Sequence, residues 1–399
     1  MRLSGLIIGL LSFIITHAQQ GTWRAELQRK DSNAIVFNFD WKTENGKAVW
    51  YIKNGTEKLR VSNITKHGDS FFVQMPVFES QFRFAIIAGK LNGVWIKRGA
   101  TKSQSLVFIA TKNTERFIVS ANAYKNISGR WAVSFNGANA SVGEFNQKGN
   151  KLSGTFLNAD GDYRFLEGVV TNDTLLLSGF DGGHCFLFKA IIKNDTTIIN
   201  GQFYSAATSK INWTAIKNET AKVPVDNVAM FVKPGQDKLD FTFMDLAQKP
   251  VSINDARFKN KVVIIQLMGS WCPNCMDETA FLSDYYNHNK QRGIEIIALA
   301  YEYTTDLERS KKSLQKFQQN FNVQYPILNT GVTVSDSLRT QKTLPQITDI
   351  KSFPSSIIID KKGKIRKLDT NFNGPGTGVH YVAYKKEFEE TINQLLKEN

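Results

Sequence analysis

The sequence predicts an α+β chain in two parts, an antiparallel all-β region over residues 19–220 followed by an α/β domain over residues 239–399. Three observations carry that division. Short alternating segments such as Ala34-Ile35-Val36-Phe37-Asn38-Phe39 fill the first part between Asn-Gly, Asp-Gly and Asn-Asp turn signals. The first part also repeats itself. From Leu239 onward the pattern changes to apolar runs of strand length separated by amphipathic stretches of helical period.

With 399 residues, the chain is long enough for two or three domains, each with its own core. Met1-Arg2, the apolar run Leu6 to Ile15 and Thr16-His17-Ala18 have the basic start, apolar middle and small-residue exit of a secretory signal peptide. Residues 1–18 are expected to be removed by cleavage after Ala18. No cysteine follows the apolar run, which argues against a lipid anchor, and no other run approaches the roughly 20 residues that span a bilayer. The mature protein is expected outside the cytoplasm, with no transmembrane segment. The net charge of +14 comes from lysines spread in ones and twos, without a long basic block or an aromatic-basic RNA motif, so nucleic acid is not an expected partner. Three cysteines are too few for a disulfide-stapled scaffold. Cysteine here reads as catalytic.

Within the first part, Gly21-Thr22-Trp23 recurs as Gly129-Arg130-Trp131, and Gly93-Val94-Trp95 as Gly201-Gln202-Phe203, both at an offset of 108. Between them, Gly68-Asp69-Ser70 pairs with Asn172-Asp173-Thr174, and Phe82-Arg83-Phe84 with Phe186-Leu187-Phe188, at an offset of 104. Two compensating loop changes explain the difference. A unit near 100 residues is far too long for a solenoid repeat, so a duplicated sheet unit is expected, as a sandwich or a barrel. Its alternating aromatics are read as core, although a closed barrel also has room for an apolar ligand. Cys185, after Gly182-Gly183-His184, is read as a buried residue opening the strand Phe186–Phe188.

Residues 221–238 have no apolar period and read as a linker. Strands are then expected at Asp240–Phe243, Val262–Leu267 and Ile294–Ala300, with helices after the second and over Leu307–Phe321. Ser355–Asp360 and Ile365–Leu368 form a hairpin, and a helix from about Tyr381 to Leu396 closes the domain. Gly269-Ser270-Trp271-Cys272-Pro273-Asn274-Cys275 follows the second strand. Two thiols three positions apart at a helix start can close a small disulfide ring without unfolding the strand or the helix. With Cys272 at the N-cap, the helix dipole and orphan N–H groups favour its thiolate, which makes it the nucleophile and Cys275 the resolving thiol. Pro273 suits the first helical position. A zinc site needs two more Cys or His ligands at matching spacing, and the only other cysteine is Cys185, so no metal is expected.

In that order of elements, residues from about 234 to 399 resemble the TlpA/ResA-like family of extracytoplasmic thiol-disulfide oxidoreductases, which have a thioredoxin fold. The resemblance rests on Trp271-Cys272-Pro273-Asn274-Cys275 in its context, and does not extend to the β region. It implies that Phe353-Pro354-Ser355 is the cis-proline loop beside the cysteines, where the plain alternative is a trans proline opening a strand. It also implies that Glu278 is the carboxylate that tunes the thiols and relays protons, although an acid in the first turns of a helix is favourable for the dipole alone. Gln266 departs from thioredoxin proper, which has a buried Asp six residues before its first Cys, and leaves proton transfer to Glu278 or water. Phe353 is bulkier than expected before the proline, and the segment Tyr325–Ser352 is longer than a minimal fold requires.

The expected function is that of a periplasmic thiol-disulfide oxidoreductase, a reductase rather than an oxidase, acting on protein disulfides with an upstream thiol electron donor. Trp271 would cover one side of the site, and no cofactor is expected beyond the redox-active pair Cys272–Cys275. An alternative makes the β region a ligand- or protein-binding module with a redox-sensing appendage. A thiol peroxidase lacks support, since no Pro-x-x-x-Thr-x-x-Cys precedes either cysteine.

Overall fold

The computed structural model describes residues 19–224, 228–370 and 372–398, so the signal-peptide segment 1–18 lies outside the described residues. Each half of the β region is a nine-stranded antiparallel meander curled until its first and last strands pair. In the first unit Gly21–Gln28 pairs with Ser103–Lys112, placing Trp23 opposite Lys112. In the second, Gly129–Phe135 pairs with Ser209–Lys217, placing Trp131 opposite Lys217. The duplication extends to single atoms. Trp23 Nε1 donates to the Gln19 carbonyl and Trp131 Nε1 to the Ile127 carbonyl, both at 2.9 Å, and each ring carries the Lys112 or Lys217 ammonium over its face. The turns paired at the shorter offset also match, with Gly68 and Asn172 both at positive φ.

The two copies differ in closure. In the second, Ala138–Lys148 and Lys151–Asn158 pair along their length, and the strands run round without a break into a barrel. In the first, no ladder joins Glu57–Val61 to Asn63–His67, which leaves a seam. Both interiors are filled by aromatic side chains, so the aromatics are core as expected. Trp41, Trp50, Phe37, Phe39, Phe82 and Phe108 are fully buried in the first unit, with Phe39 stacked on Trp50 at 4.0 Å. The units share core across their boundary, where Phe37 stacks on Phe180 at 4.3 Å. There Asn54 exchanges two hydrogen bonds with the Phe180 backbone, and the buried Arg116 donates to the Ser178 and Lys53 carbonyls. Cys185 opens the strand Cys185–Asn194 fully buried, and burial pushes its thiol up to about 12.

The C-terminal part is a thioredoxin fold. Its seven strands lie in the order 250–252, 242–245, 327–329, 294–300, 262–268, 355–359, 365–369. Val262–Met268 sits near the centre, parallel to Ile294–Ala300 and antiparallel to Ser355–Ile359. All seven of its residues are buried, because helices cover both faces of the sheet, and this is why it reads as a continuous apolar run. The helices are α1 (Pro273–Asn289), α2 (Leu307–Asn320), the short α3 (Arg339–Thr343) and α4 (Val379–Lys397). At the start of α2, Asp306 accepts from Arg309 N at 3.1 Å, and the helix buries Leu314 and Phe317. The segment that reads as a linker is fastened to this domain at its far end. Met230 is buried in the domain core, Val232 bridges to Ile347, and Ile365 N donates to the Asp237 carbonyl.

Candidate active site

Strand 262–268 ends at Gly269, and the reason for a glycine is local. A Cβ there would stand 2.1 Å from Trp271 Nε1, which donates to the Tyr301 carbonyl at 2.8 Å. The Trp271 ring is thereby fixed flat against Tyr303, with centroids 5.1 Å apart, and edge-on to Phe353. Ser270 between them is held through both its N–H (2.8 Å) and its hydroxyl (2.6 Å) by the Glu302 carboxylate. Burial pushes Glu302 up to about 7, with the two Ser270 hydrogen bonds opposing.

Cys272 is the N-cap of α1, and Pro273 takes its first position. The Cys272 sulfur accepts from Cys275 N–H at 3.2 Å, so an otherwise orphan amide of the first turn is aimed at it. The same thiol donates to the Phe353 carbonyl at 3.4 Å. Phe353–Pro354 is a cis peptide, which brings the proline loop against the cysteines. Cys275 lies fully inside. Burial and the neighbouring Cys272 sulfur push its thiol well above the ordinary range. The environment therefore separates the two sulfurs: one receives helix N–H density, the other sits in apolar surroundings that hold its proton.

One turn further, Glu278 is 1% exposed, and burial drives its carboxyl up to about 8. Gln266, from the centre of the buried strand, donates to Glu278 Oε2 at 2.8 Å and accepts from the Thr279 hydroxyl at 3.1 Å. Both ends of the buried amide are satisfied. The residue standing where thioredoxin has an acid thus holds the acid supplied from the helix. Trp271, Cys272, Pro273, Cys275, Glu278, Gln266, Phe353 and Pro354 all come together at this end of the sheet.

Ser270, Glu302 and Tyr303 belong to the site without having been singled out in the sequence. The available signal was Glu302 two residues after the apolar strand 294–300, at the carboxyl end of two parallel strands, where functional groups of open α/β sheets collect. More consequential is what covers the site. Cys272 is only 3% exposed. Val77 and Phe78, from a loop of the first β unit, are buried in the core of the thioredoxin domain. Phe78 and Glu79 line one side of a cavity of about 20 Å³ whose other side is Ser270, Trp271, Glu302 and Tyr303. On the opposite flank, Asn274 Nδ2 donates to the Asp162 carbonyl at 3.2 Å, and Asp277 takes two hydrogen bonds from the buried Arg164 of the second unit (2.7 and 2.8 Å). A cavity of about 250 Å³, lined by Pro273 and Asn274 with Glu57, Asp181 and His184, lies on that flank. Among the described residues no group of three His, Cys, Asp or Glu is arranged to hold a metal.

Residues 234–368 match the AhpC/TSA family, from the end of the linker segment into the C-terminal domain. The chain is 25% identical over 139 residues to the thiol-disulfide oxidoreductase ResA of Bacillus subtilis, and 27% identical over 132 residues to that of Bacillus thuringiensis subsp. konkukian. These alignments cover 35% and 33% of this chain and 68% and 66% of the relatives, so the chain spans about two thirds of their length. Among solved structures, the thioredoxin domain of a thiol-disulfide oxidoreductase from Bacteroides vulgatus is 24% identical, with a TM-score of 0.29, covering 39% of this chain and 98% of that one. A thiol-disulfide oxidoreductase from Bacteroides fragilis is 15% identical, with a TM-score of 0.29, covering 38% of this chain and 99% of that one.

Proposed function

From a C-terminal domain similar to the ResA thiol-disulfide oxidoreductases, we propose that this protein reduces protein disulfides outside the cytoplasm through Cys272 and Cys275. The observation that carries the reading is Cys272 at the N-cap of α1, its sulfur receiving the Cys275 N–H, with Cys275 fully buried one turn inside, an arrangement that makes one sulfur the attacking and the other the resolving thiol. The Cys272 thiolate attacks one sulfur of a substrate disulfide, forming a mixed disulfide and releasing the first substrate thiol. Cys275 then gives up its proton and attacks the Cys272 sulfur, which releases the second thiol and closes the Cys272–Cys275 disulfide. Glu278, raised by burial to about 8 and within electrostatic reach of Cys275, accepts that proton in its ionised form, directly or through water, so the step speeds up as pH rises toward 8. Gln266 orients it. An upstream dithiol returns two electrons and two protons and reopens the pair. No further cofactor enters the scheme.

The extracytoplasmic location is supported by the signal-peptide pattern of residues 1–18. Among the described residues no helix is long and apolar enough to cross a membrane. A peroxidase reading, which the AhpC/TSA match invites, is disfavoured by Gly269 and Ile265 standing where a peroxidatic cysteine at 272 would need Thr and Pro.

The test is a pair of variants. Cys272→Ser abolishes reductase activity, while Cys275→Ser accumulates mixed disulfides that migrate as adducts on non-reducing gels. Full activity in Cys272→Ser overturns the proposal. A dithiothreitol titration of the pair gives the direction, and a strongly negative potential fits a reductase.

A further inference from the structure

A nucleophilic thiol has to meet a substrate sulfur in line, and a cysteine only 3% exposed leaves little room for that approach. The chain's own β half reaches the residues on either side of it: the first unit faces Trp271 across the small cavity, and the second holds Asn274. Phe78 leaves the aromatic core of its unit, which the neighbouring Met75 joins, and packs into the thioredoxin core with Val77. Phe78 also sits edge-on to His184 at 5.3 Å, so it stands at the junction between the two β units and the redox domain.

The attachments around this wedge are charged. Arg309 on α2 holds the Glu79 carboxylate through Nε (3.0 Å) and Nη2 (2.5 Å) and donates to the Gly99 carbonyl. Lys316 donates to the Phe78 carbonyl at 2.9 Å. On the other flank Arg164 spans Glu57 and Asp277, and at the start of α4 His380 meets Glu144 at 2.8 Å. A small apolar wedge with ion pairs around it has the mixed, polar make-up of contacts between domains that move.

We propose that the β half is a movable cover over Cys272, held shut by the Val77–Phe78 wedge and the Arg309–Glu79 clasp, and that exchange with a protein disulfide requires it to swing aside. This rests on the thiol-exchange reading above and adds regulation of the same site. Substrate entry is then set by the opening equilibrium.

The experiment reads access separately from activity. The reduced full chain is treated with iodoacetamide and with a polyethylene-glycol maleimide, and modification of the peptide carrying Cys272 is followed by mass spectrometry. Glu79→Gln, a change that removes the charge of the half-buried clasp residue and keeps its shape, raises the rate with the bulky reagent roughly fivefold. Raising NaCl to about 1 M raises the wild-type rate in the same direction but by less, because the clasp is partly buried and only partly screened. Rates unchanged by both treatments overturn the cover. If Glu79→Gln is alkylated faster yet reduces insulin no better than Cys272→Ser, the cover stands and the oxidoreductase reading fails.

Discussion

Replacing Glu278 with Gln changes the pH dependence of folding by an amount the buried carboxyl sets. Its pKa rises from 4.5 to about 8 on folding. A carboxyl whose folded pKa is raised stabilises the fold fully below pH 4.5 and loses that contribution as pH rises toward 8. At pH 7 the loss spans 2.5 units, or about 3 kcal/mol at 1.36 kcal/mol per unit, and above pH 8 it approaches about 5 kcal/mol. Because Glu278 is buried and surrounded by Gln266, Tyr325 and Tyr384, bulk salt screens little of this. Glu278→Gln keeps the shape and the partner for Gln266 but never ionises. The variant and the wild type should therefore be equally stable near pH 4.5, and the variant more stable by about 3 kcal/mol at pH 7. Urea unfolding of both proteins across pH 4.5 to 9 measures the difference, which also removes the shared contributions of Glu302 and Asp162. A difference constant with pH would refute the reasoning. The same substitution should slow the step in which Cys275 loses its proton, so greater stability and lower turnover appear together.

Further outcomes follow from single contacts. Gly269→Ala drives a methyl into Trp271 Nε1 and costs about 1–3 kcal/mol with loss of the Trp271–Tyr301 hydrogen bond, visible as altered tryptophan fluorescence; an unchanged spectrum and stability would count against the packing. Asn54→Ala leaves the Phe180 N–H and carbonyl unpaired in the boundary between the β units and should cost about 2–4 kcal/mol in urea unfolding, with a loss below 1 kcal/mol showing that the boundary carries no such weight.

Much of the redox domain is legible in its sequence because its elements are long and periodic. Strand 294–300 is read to the residue, and the last helix, expected over 381–396, spans 379–397. Strands 250–252 and 327–329 and α3 escape notice, since three to five residues complete no period. The N-cap role of Cys272 follows from Pro273 directly after it, whereas the cis Phe353–Pro354 bond was reachable only through resemblance. The repeat announces two sheet units, but ring closure is a pairing of first with last strand and leaves no local mark. The covering loop is the plainest case. Val77 and Phe78 read like core residues of the β unit, and nothing in their spacing says that the core they join begins more than 150 residues later.

The seam in the first β unit has a consequence for how molecules of this protein meet. Glu57–Val61 and Asn63–His67 each end the sheet with backbone donors and acceptors turned to no partner strand, a ready template on which another extended chain can lay itself down. Lys58, Arg60 and Lys66 stand exposed along those two borders. Two copies approaching border to border bring like charges together, and a chain already carrying +14 reinforces the repulsion. The closed second copy offers no open border of that length; along the open one, charge opposes the approach of a second copy.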